Sequence, residues 1–169
     1  MNGAGRMLEI AASPILRALR WVPAFVLRWY WTEKRLAAGV QTKVRGDGQG
    51  IKINGGEVPD FSALLEVQNL TPFPLEVDRL FGEVFCGGRI ASFVNLERKA
   101  IKSLASELVF IRADMTDAQA RYLANTYETN RVHFVLSGFI HCRVRGFSLI
   151  TRTIESTNVE ITNVRAVTL

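Results

Sequence analysis

The two histidines and two cysteines of this sequence are the side chains best suited to bind a transition metal ion. They are His133, His141, Cys86 and Cys142. The histidines lie eight residues apart, which is about 26 Å along an extended strand at ~3.3 Å per residue, so they cannot share one metal ion. His141 and Cys142 are adjacent in an alternating run and point to opposite faces. Their spacing therefore predicts no metal site.

Motifs of nucleophilic or phosphate chemistry are also missing. The sequence has no Gly-x-Ser-x-Gly elbow, no His-Glu-x-x-His pair and no phosphate loop, and its glycine-rich GDGQG run lacks a following Lys-Ser or Lys-Thr. The carboxylates are scattered over polar faces of the predicted elements. We therefore expect a protein that is not an enzyme, with no catalytic residues, no bound metal and no cofactor.

The two cysteines give a prediction about the compartment. Both fall on the apolar side of a predicted strand, where a thiol usually behaves as a small inert hydrophobe. Two cysteines do not make the disulfide framework of small secreted domains. The pattern predicts buried thiols on the reducing, intracellular side, with a single disulfide between neighbouring strands as the alternative.

Charge is concentrated at the N-terminus of this 169-residue chain, whose length and 48% hydrophobic content are enough for one domain with a core and an appendage. Residues 1–46 carry eight Lys and Arg against two Glu, whereas the remainder carries 13 basic residues against 14 acidic ones. All three tryptophans lie in the same basic segment. A basic face spread over the domain is absent, so no nucleic-acid partner is predicted.

The basic segment contains a predicted amphipathic helix over residues 13–37. Ser13 suits the N-cap, Pro14 the first helical position, and Pro23 predicts a kink. Helical periodicity separates a basic stripe from an apolar face. The stripe contains Arg17, Arg20, Ala24, Arg28 and Arg35, and the apolar face contains Ile15, Leu19, Val22, Val26, Trp29 and Tyr30.

This helix is predicted to lie on a membrane surface rather than to cross it. Its longest uncharged run, WVPAFVL, is far shorter than the about 20 apolar residues that a spanning helix needs. Arginines on one face and Trp with aliphatic residues on the other suit an interface between acyl chains and anionic headgroups. Two alternatives stay open: a helix packed on a partner subunit or on its own domain, and an organelle transit peptide. The residues predicted to dock to a membrane or partner are Arg17, Leu19, Arg20, Trp21, Val22, Phe25, Val26, Arg28, Trp29 and Trp31.

Beyond Gly39 the apolar period changes from helical spacing to alternation. Alternating runs bounded by glycine-rich turns predict seven or eight antiparallel strands, which are expected to form a sandwich. Helical periodicity returns once, near residues 115–128, where Thr116 and Gln119 form a capping box. A late strand is predicted to carry a basic edge, which either protects the sheet surface or meets an anionic partner. This edge contains Arg131, His133, His141, Arg143 and Arg145.

The run NLTPFPLEV, residues 69–77, separates two of these strands. Pro72 and Pro74 cannot donate to a ladder and keep the preceding residues extended. The chain is therefore predicted to leave one ladder in an extended conformation, with Phe73 packing across the end of the core.

With these elements in place, residues 40–164 resemble the late embryogenesis abundant group 2 family, also called the water-stress and hypersensitive-response domain. The resemblance is carried by ALLEVQN, the NLTPFPLEV turn, RLFGEVFCGGRIA, AIKSLASELVFI and VHFVLSGFIHCRV. Leu70 and Thr71 depart from the family's turn, where a proline and a polar residue are common. The resemblance implies an all-β, immunoglobulin- or fibronectin-like antiparallel sandwich with no attributed enzymatic activity.

These observations lead to one functional expectation and two alternatives. Residues 1–38 are expected to dock to a membrane surface or membrane complex, and residues 39–169 to form a sandwich that binds partner subunits. Such a protein would be a non-enzymatic, peripheral membrane accessory protein, with anionic lipids or subunits of a larger complex as partners and an organelle membrane among its expected locations. The alternatives are a module that binds or transfers a lipid or apolar ligand between the sheets, and a desiccation protectant.

Overall fold

Two β-sheets with helices packed at their ends form the described part of the fold. The structure, a computed structural model, describes residue 18 and the ranges 21–45, 51–126, 131–149, 152–155 and 159–162. In these ranges the helices are α1 Ala24–Tyr30, α2 Glu33–Ala38 and α3 Asp117–Thr126. The first sheet contains β1 Val40–Val44, β2 Ile51–Asn54, β3 Asp60–Asn69, β7 Ser106–Asp114 and β11 Val159–Thr162. The second contains β4 Leu75–Cys86, β5 Gly88–Asn95, β6 Lys99–Ile101, β8 His133–Cys142, β9 Gly146–Ser148 and β10 Arg152–Glu155.

The predicted all-β sandwich is confirmed, although its strands are more numerous than the sequence predicted. The described ranges contain eleven strands rather than seven or eight, because three-residue strands such as β6 and β9 are too short to show alternation. Strand β3 pairs with β1, β2 and β7, while β4 and β8 form the centre of the second sheet. Among the described strands, every pair is antiparallel except the parallel pair of β2 and β11.

Alternation along the strands builds the core. In β3, Phe61 and Leu65 are fully buried on the face turned to the second sheet. The Phe134 ring of β8 lies 6.4 Å from the Phe61 ring and 6.5 Å from the Phe93 ring, both edge to face. Gly82 leaves room for Phe93, since a Cβ there would sit 2.8 Å from its Cζ atom. Aromatic side chains therefore join the two sheets at the centre of the sandwich.

Strand register brings several connections to one end of the sandwich. Asn69, the last residue of β3, pairs with Val40, the first residue of β1. Leu75, the first residue of β4, pairs with both Ile101 and Cys142, where β6 and β8 end. The turns that follow these strands therefore emerge together, next to the N-terminal helices. We call this region the helical end, defined as residues 21–39, 70–74, 102–105 and 143–145.

The NLTPFPLEV run crosses from one sheet to the other, as its prolines predict. Strand β3 lies in the first sheet and β4 in the second, and the buried side chain of Asn69 organises the turn between them. Its Nδ2 donates to the carbonyl oxygens of Phe73 at 2.7 Å and Lys102 at 3.0 Å. Its Oδ1 accepts from the Thr71 backbone N–H at 2.9 Å and hydroxyl at 2.7 Å. The predicted burial of Phe73 across the end of the core is also observed.

The N-terminal segment differs from the single kinked helix predicted over residues 13–37. Residues 13–17, 19 and 20 lie outside the described residues, and the described part forms two short helices rather than one. Helix α1 ends at Tyr30, and Thr32 is extended and starts α2 by accepting a hydrogen bond from the Arg35 backbone N–H at 3.4 Å. The helical periodicity of the sequence did not reveal this N-cap, which interrupts the helix.

The helix predicted near residues 115–128 is present as α3. The Thr116 hydroxyl accepts from the Gln119 N–H at 3.3 Å, while the Gln119 side chain accepts from the Thr116 N–H at 2.8 Å. This is the reciprocal capping box expected from the sequence. Leu123 on the inward face is buried, which joins α3 to the core at the end opposite the helical end.

Candidate functional site

The outer surface of the N-terminal segment is aromatic. Trp21, Phe25 and Trp29 are 86%, 72% and 87% exposed. Phe25 and Trp29 lie four residues apart on one side of α1, and Trp21 lies in the turn that precedes this helix. Val26 and Tyr30 extend this exposed surface. Large aromatic side chains displayed together are unusual on a soluble surface and mark a site of interaction. We call Trp21, Phe25 and Trp29 the aromatic face.

The opposite side of the same segment packs on the sandwich. Leu27 of α1 and Leu36 and Ala37 of α2 are buried within the core, and Val22 is half-buried against it. The Trp31 ring meets the Phe73 ring edge to face at 5.3 Å. The segment therefore packs on the end of the sandwich through its own apolar contacts. This packing directs the aromatic face outward.

Arginines and main-chain carbonyls fasten the segment to the turn after β8. Arg28 Nε donates to the Val144 carbonyl at 2.8 Å, and Arg145 Nη2 donates back to the Arg28 carbonyl at 2.8 Å. Arg143 Nη2 donates to the Val22 carbonyl at 3.1 Å. Guanidinium groups are well suited to this role because they present several N–H donors in a fixed plane. We call Arg28, Arg143 and Arg145 the arginine clamp.

The structure distributes the predicted docking residues over two different surfaces. Trp21, Phe25, Val26 and Trp29 are exposed, whereas Val22 and Trp31 are half-buried against the core. Arg28 takes part in the clamp. The remaining predicted residues, Arg17, Leu19 and Arg20, lie outside the described residues.

Two arginines of the predicted basic edge have a role that the sequence did not reveal. Arg143 and Arg145 follow β8 in the turn at residues 143–145 and hold the N-terminal segment. No local sequence pattern indicates this contact, because it joins positions more than a hundred residues apart. Its acceptors are main-chain carbonyls, which every residue has. Arg35, predicted on the basic stripe, donates to the Tyr30 carbonyl at 2.9 Å and lies 4.6 Å from that ring's centroid.

The histidines lie at separate places along β8. His133 stacks on the Phe85 ring with 5.3 Å between the ring centroids, near the start of the strand. At its other end, His141 Nε2 lies 3.9 Å from the Asp78 carboxylate. Among the described residues, no three His, Cys, Asp or Glu side chains lie close enough together to hold a metal ion.

An apolar groove of about 410 Å³ lies on the outer face of the second sheet. It is lined by residues of β4, β5 and β8, including Phe81, Val94 and Val135. Phe81 pairs there with Phe139 at 6.2 Å between ring centroids. The groove is therefore separated from the space between the sheets, where the sequence-based alternative expected an apolar ligand.

Both cysteines are free thiols, and the alternative disulfide is not observed. The predicted burial is confirmed for Cys86 but not for Cys142. Burial raises the pKa of the Cys86 thiol. Cys142 is half-buried, with its Sγ donating to the Arg145 carbonyl at 3.3 Å.

We expect iodoacetamide to alkylate Cys142 in the native protein well before Cys86. A raised pKa disfavours the thiolate that reacts, and burial blocks access. Because burial raises the pKa of Cys86 above its value in the unfolded chain, the free energy of unfolding should also depend on pH. It should be unaffected below the unfolded pKa and should fall as pH rises from there through the folded pKa. Peptide mass spectrometry after timed alkylation measures both sites. Equal rates below the unfolding transition would contradict the burial of Cys86.

Among the described residues, no helix is both long and apolar enough to cross a membrane. The fold places the protein in the class of all-β sandwiches, with a helical N-terminal segment packed across one end. No protein-family model matches the sequence. No curated protein matches it either.

Solved structures are similar at low identity. A protein from Archaeoglobus fulgidus is 12% identical with a TM-score of 0.40, over 70% of this chain and 95% of that one. A structural genomics target is 8% identical with a TM-score of 0.49, over 72% and 87%. A structure described as a late embryogenesis abundant protein is 12% identical with a TM-score of 0.41, over 91% and 90%. Because all three TM-scores are below 0.5, membership of the group 2 family stays a prediction.

Proposed function

We propose that this protein is a non-enzymatic accessory protein that attaches to an anionic membrane surface through its N-terminal segment. The aromatic face is the observation that carries the proposal. Tryptophan and phenylalanine rings in one exposed patch lose unfavourable contact with water when they enter the boundary between headgroups and acyl chains. Contacts with the core and the arginine clamp hold the patch in a fixed orientation before binding.

Charge supports an anionic lipid as the partner. Residues 1–46 carry eight Lys and Arg against two Glu. Each basic residue near an anionic surface adds about 1 kcal/mol to attachment, and the effect declines with salt. The apolar contribution does not decline in the same way, so attachment should survive moderate salt.

On this proposal the sandwich projects from the membrane and docks to partner subunits. The outer face of its second sheet, with the groove between β4, β5 and β8, is the surface we assign to such a partner. The two free thiols favour the reducing side of the membrane.

The two alternatives have less support. A ligand between the sheets would compete with Phe61, Phe93 and Phe134, whose rings occupy the centre of that space. The desiccation-protectant alternative depends on the family resemblance and leaves the aromatic face without a role.

Flotation with lipid vesicles tests the proposal. We expect the wild-type protein to float with vesicles containing phosphatidylserine, and each of Trp21→Ser, Phe25→Ser and Trp29→Ser to weaken binding. Burying one such ring contributes about 2 kcal/mol, so the loss per variant should be about thirtyfold. The triple variant should stay with the soluble fraction.

Phe110→Ser is the matched control, because Phe110 is also an exposed aromatic residue but lies on strand β7, away from the helical end. Deletion of residues 1–38 is a poor test, since it removes Leu27, Leu36 and Ala37 from the core. If the triple variant floats as well as wild type, the membrane proposal is wrong. If wild type does not float but joins a defined complex that the triple variant fails to enter, the aromatic face is a subunit-docking surface.

A further inference from the structure

Two leucines at the helical end are exposed without being part of the N-terminal segment. Leu70 is 42% exposed in the turn between β3 and β4, and Leu104 is 44% exposed in the turn between β6 and β7. Because β3 and β6 both end there, these side chains share the helical end with the aromatic face.

The backbone of Leu104 is in a conformation that leucine rarely adopts. Its φ is +57°, and among the described residues it is the one non-glycine residue with positive φ. Asparagine and glycine tolerate this left-handed region, whereas leucine's Cβ is crowded there. The turn conformation does not favour leucine, so turn geometry does not account for this residue. Its exposed apolar side chain therefore indicates contact with something outside the chain.

Hydrogen bonds join the Leu70 turn to the end of the N-terminal segment and the Leu104 turn to Asn69. The Leu70 backbone N–H donates to the Gly39 carbonyl at 2.8 Å, directly after α2. The Asn69 backbone N–H donates to the Ala105 carbonyl at 2.9 Å, and its side-chain Nδ2 to the Lys102 carbonyl at 3.0 Å. The two leucine turns and the helices are therefore held as one unit.

The charges around this unit are mainly positive. Carboxylates are fewer than cationic side chains here. One of them, Glu76 at the start of β4, lies 3.7 Å from the Arg98 guanidinium, which balances its charge. The cationic side chains are Arg28, Lys34, Arg35, Lys102, Arg143 and Arg145, and the carboxylates at or next to this end are Glu33, Glu76 and Glu107. An anionic surface complements this balance.

We propose that Leu70 and Leu104, flanked by Lys102, form a second contact with the anionic bilayer, so that the whole helical end and not the N-terminal segment alone faces the lipid. This inference depends on the proposed function and extends it to a defined orientation of the sandwich. A single weak anchor gives only marginal attachment, whereas two contacts held at a fixed spacing reinforce each other.

Leu104→Asn is the decisive variant. Asparagine suits a positive φ, so this variant should unfold at the same or a higher urea concentration than wild type. Binding to vesicles of phosphatidylcholine with phosphatidylserine should nevertheless fall about fivefold, and Leu70→Asn should have a similar effect. A loss of binding without a loss of stability cannot come from misfolding.

Val58→Asn provides the control, because Val58 is exposed in the turn before β3, at the opposite end of the sandwich. It should bind vesicles like wild type. If Leu104→Asn also binds like wild type while Trp29→Ser does not, the second contact is wrong and the membrane proposal stands. If neither variant changes vesicle binding, both proposals fail. Should sedimentation without lipid show a wild-type dimer that Leu104→Asn converts to a monomer, the leucines belong to a self-interface and the inference is overturned.

Discussion

Replacing Asn69 by alanine is expected to lower the free energy of unfolding by about 3 kcal/mol. The side chain is fully buried and its amide satisfies groups on two turns. Alanine would remove these partners from the Phe73 carbonyl and the Thr71 N–H, which are buried, and from the Lys102 carbonyl, which is partly buried. Urea unfolding followed by tryptophan fluorescence measures the change.

Asn95→Ala is the matched control for this prediction. Asn95 also bridges main-chain groups, donating to the Phe110 carbonyl at 2.6 Å and accepting from the Glu97 N–H at 2.7 Å. These bonds are exposed, so water replaces them and the cost should stay below about 1 kcal/mol. Equal losses for the two variants would show that burial of the Asn69 network is not what stabilises the turn.

Replacing Leu36 by alanine should also cost about 3 kcal/mol of unfolding free energy. Leu36 lies in α2 but is fully buried among residues of the sandwich core. The deletion leaves a cavity that neighbouring strands cannot close, since the interior is already densely packed. Thermal or urea unfolding should show one cooperative transition at a lower midpoint.

Val26→Ala, on the exposed side of α1, serves as the comparison and should change stability by less than about 0.5 kcal/mol. If Leu36→Ala behaves like Val26→Ala, the N-terminal segment is energetically independent of the sandwich. Residues 1–38 could then be removed without harm to the fold, contrary to the packing of α2.

The stability and binding predictions separate two roles of the N-terminal segment. Leu36 and the clamp serve the fold, whereas Trp21, Phe25 and Trp29 are exposed. Substitutions on the aromatic face should therefore change membrane binding without changing the unfolding midpoint.

Local patterns in the sequence were sufficient to predict much of the fold. Alternating runs predicted strands such as β3, because successive residues of a strand point to opposite faces of a sheet. Thr116 and Gln119 predicted the start of α3, since a capping box is formed by residues three positions apart. Pro72 and Pro74 predicted the crossing between sheets because proline cannot donate to a ladder.

The orientation of the N-terminal segment was decided only by the tertiary structure. Periodicity separated arginines from apolar residues, but it could not tell that Leu27 would turn to the core while Phe25 and Trp29 turned to solvent. The orientation of α1 depends on its hydrogen bonds with Val144 and Arg145, which lie far along the chain and are brought beside α1 by the fold. The shared position of Leu70 and Leu104 likewise follows from strand register, which pairs residues distant in sequence. Sequence alone therefore determined the longer strands and α3, which arise from contacts between near neighbours. The orientation of the N-terminal segment and the surfaces available for binding required the long-range contacts of the folded chain.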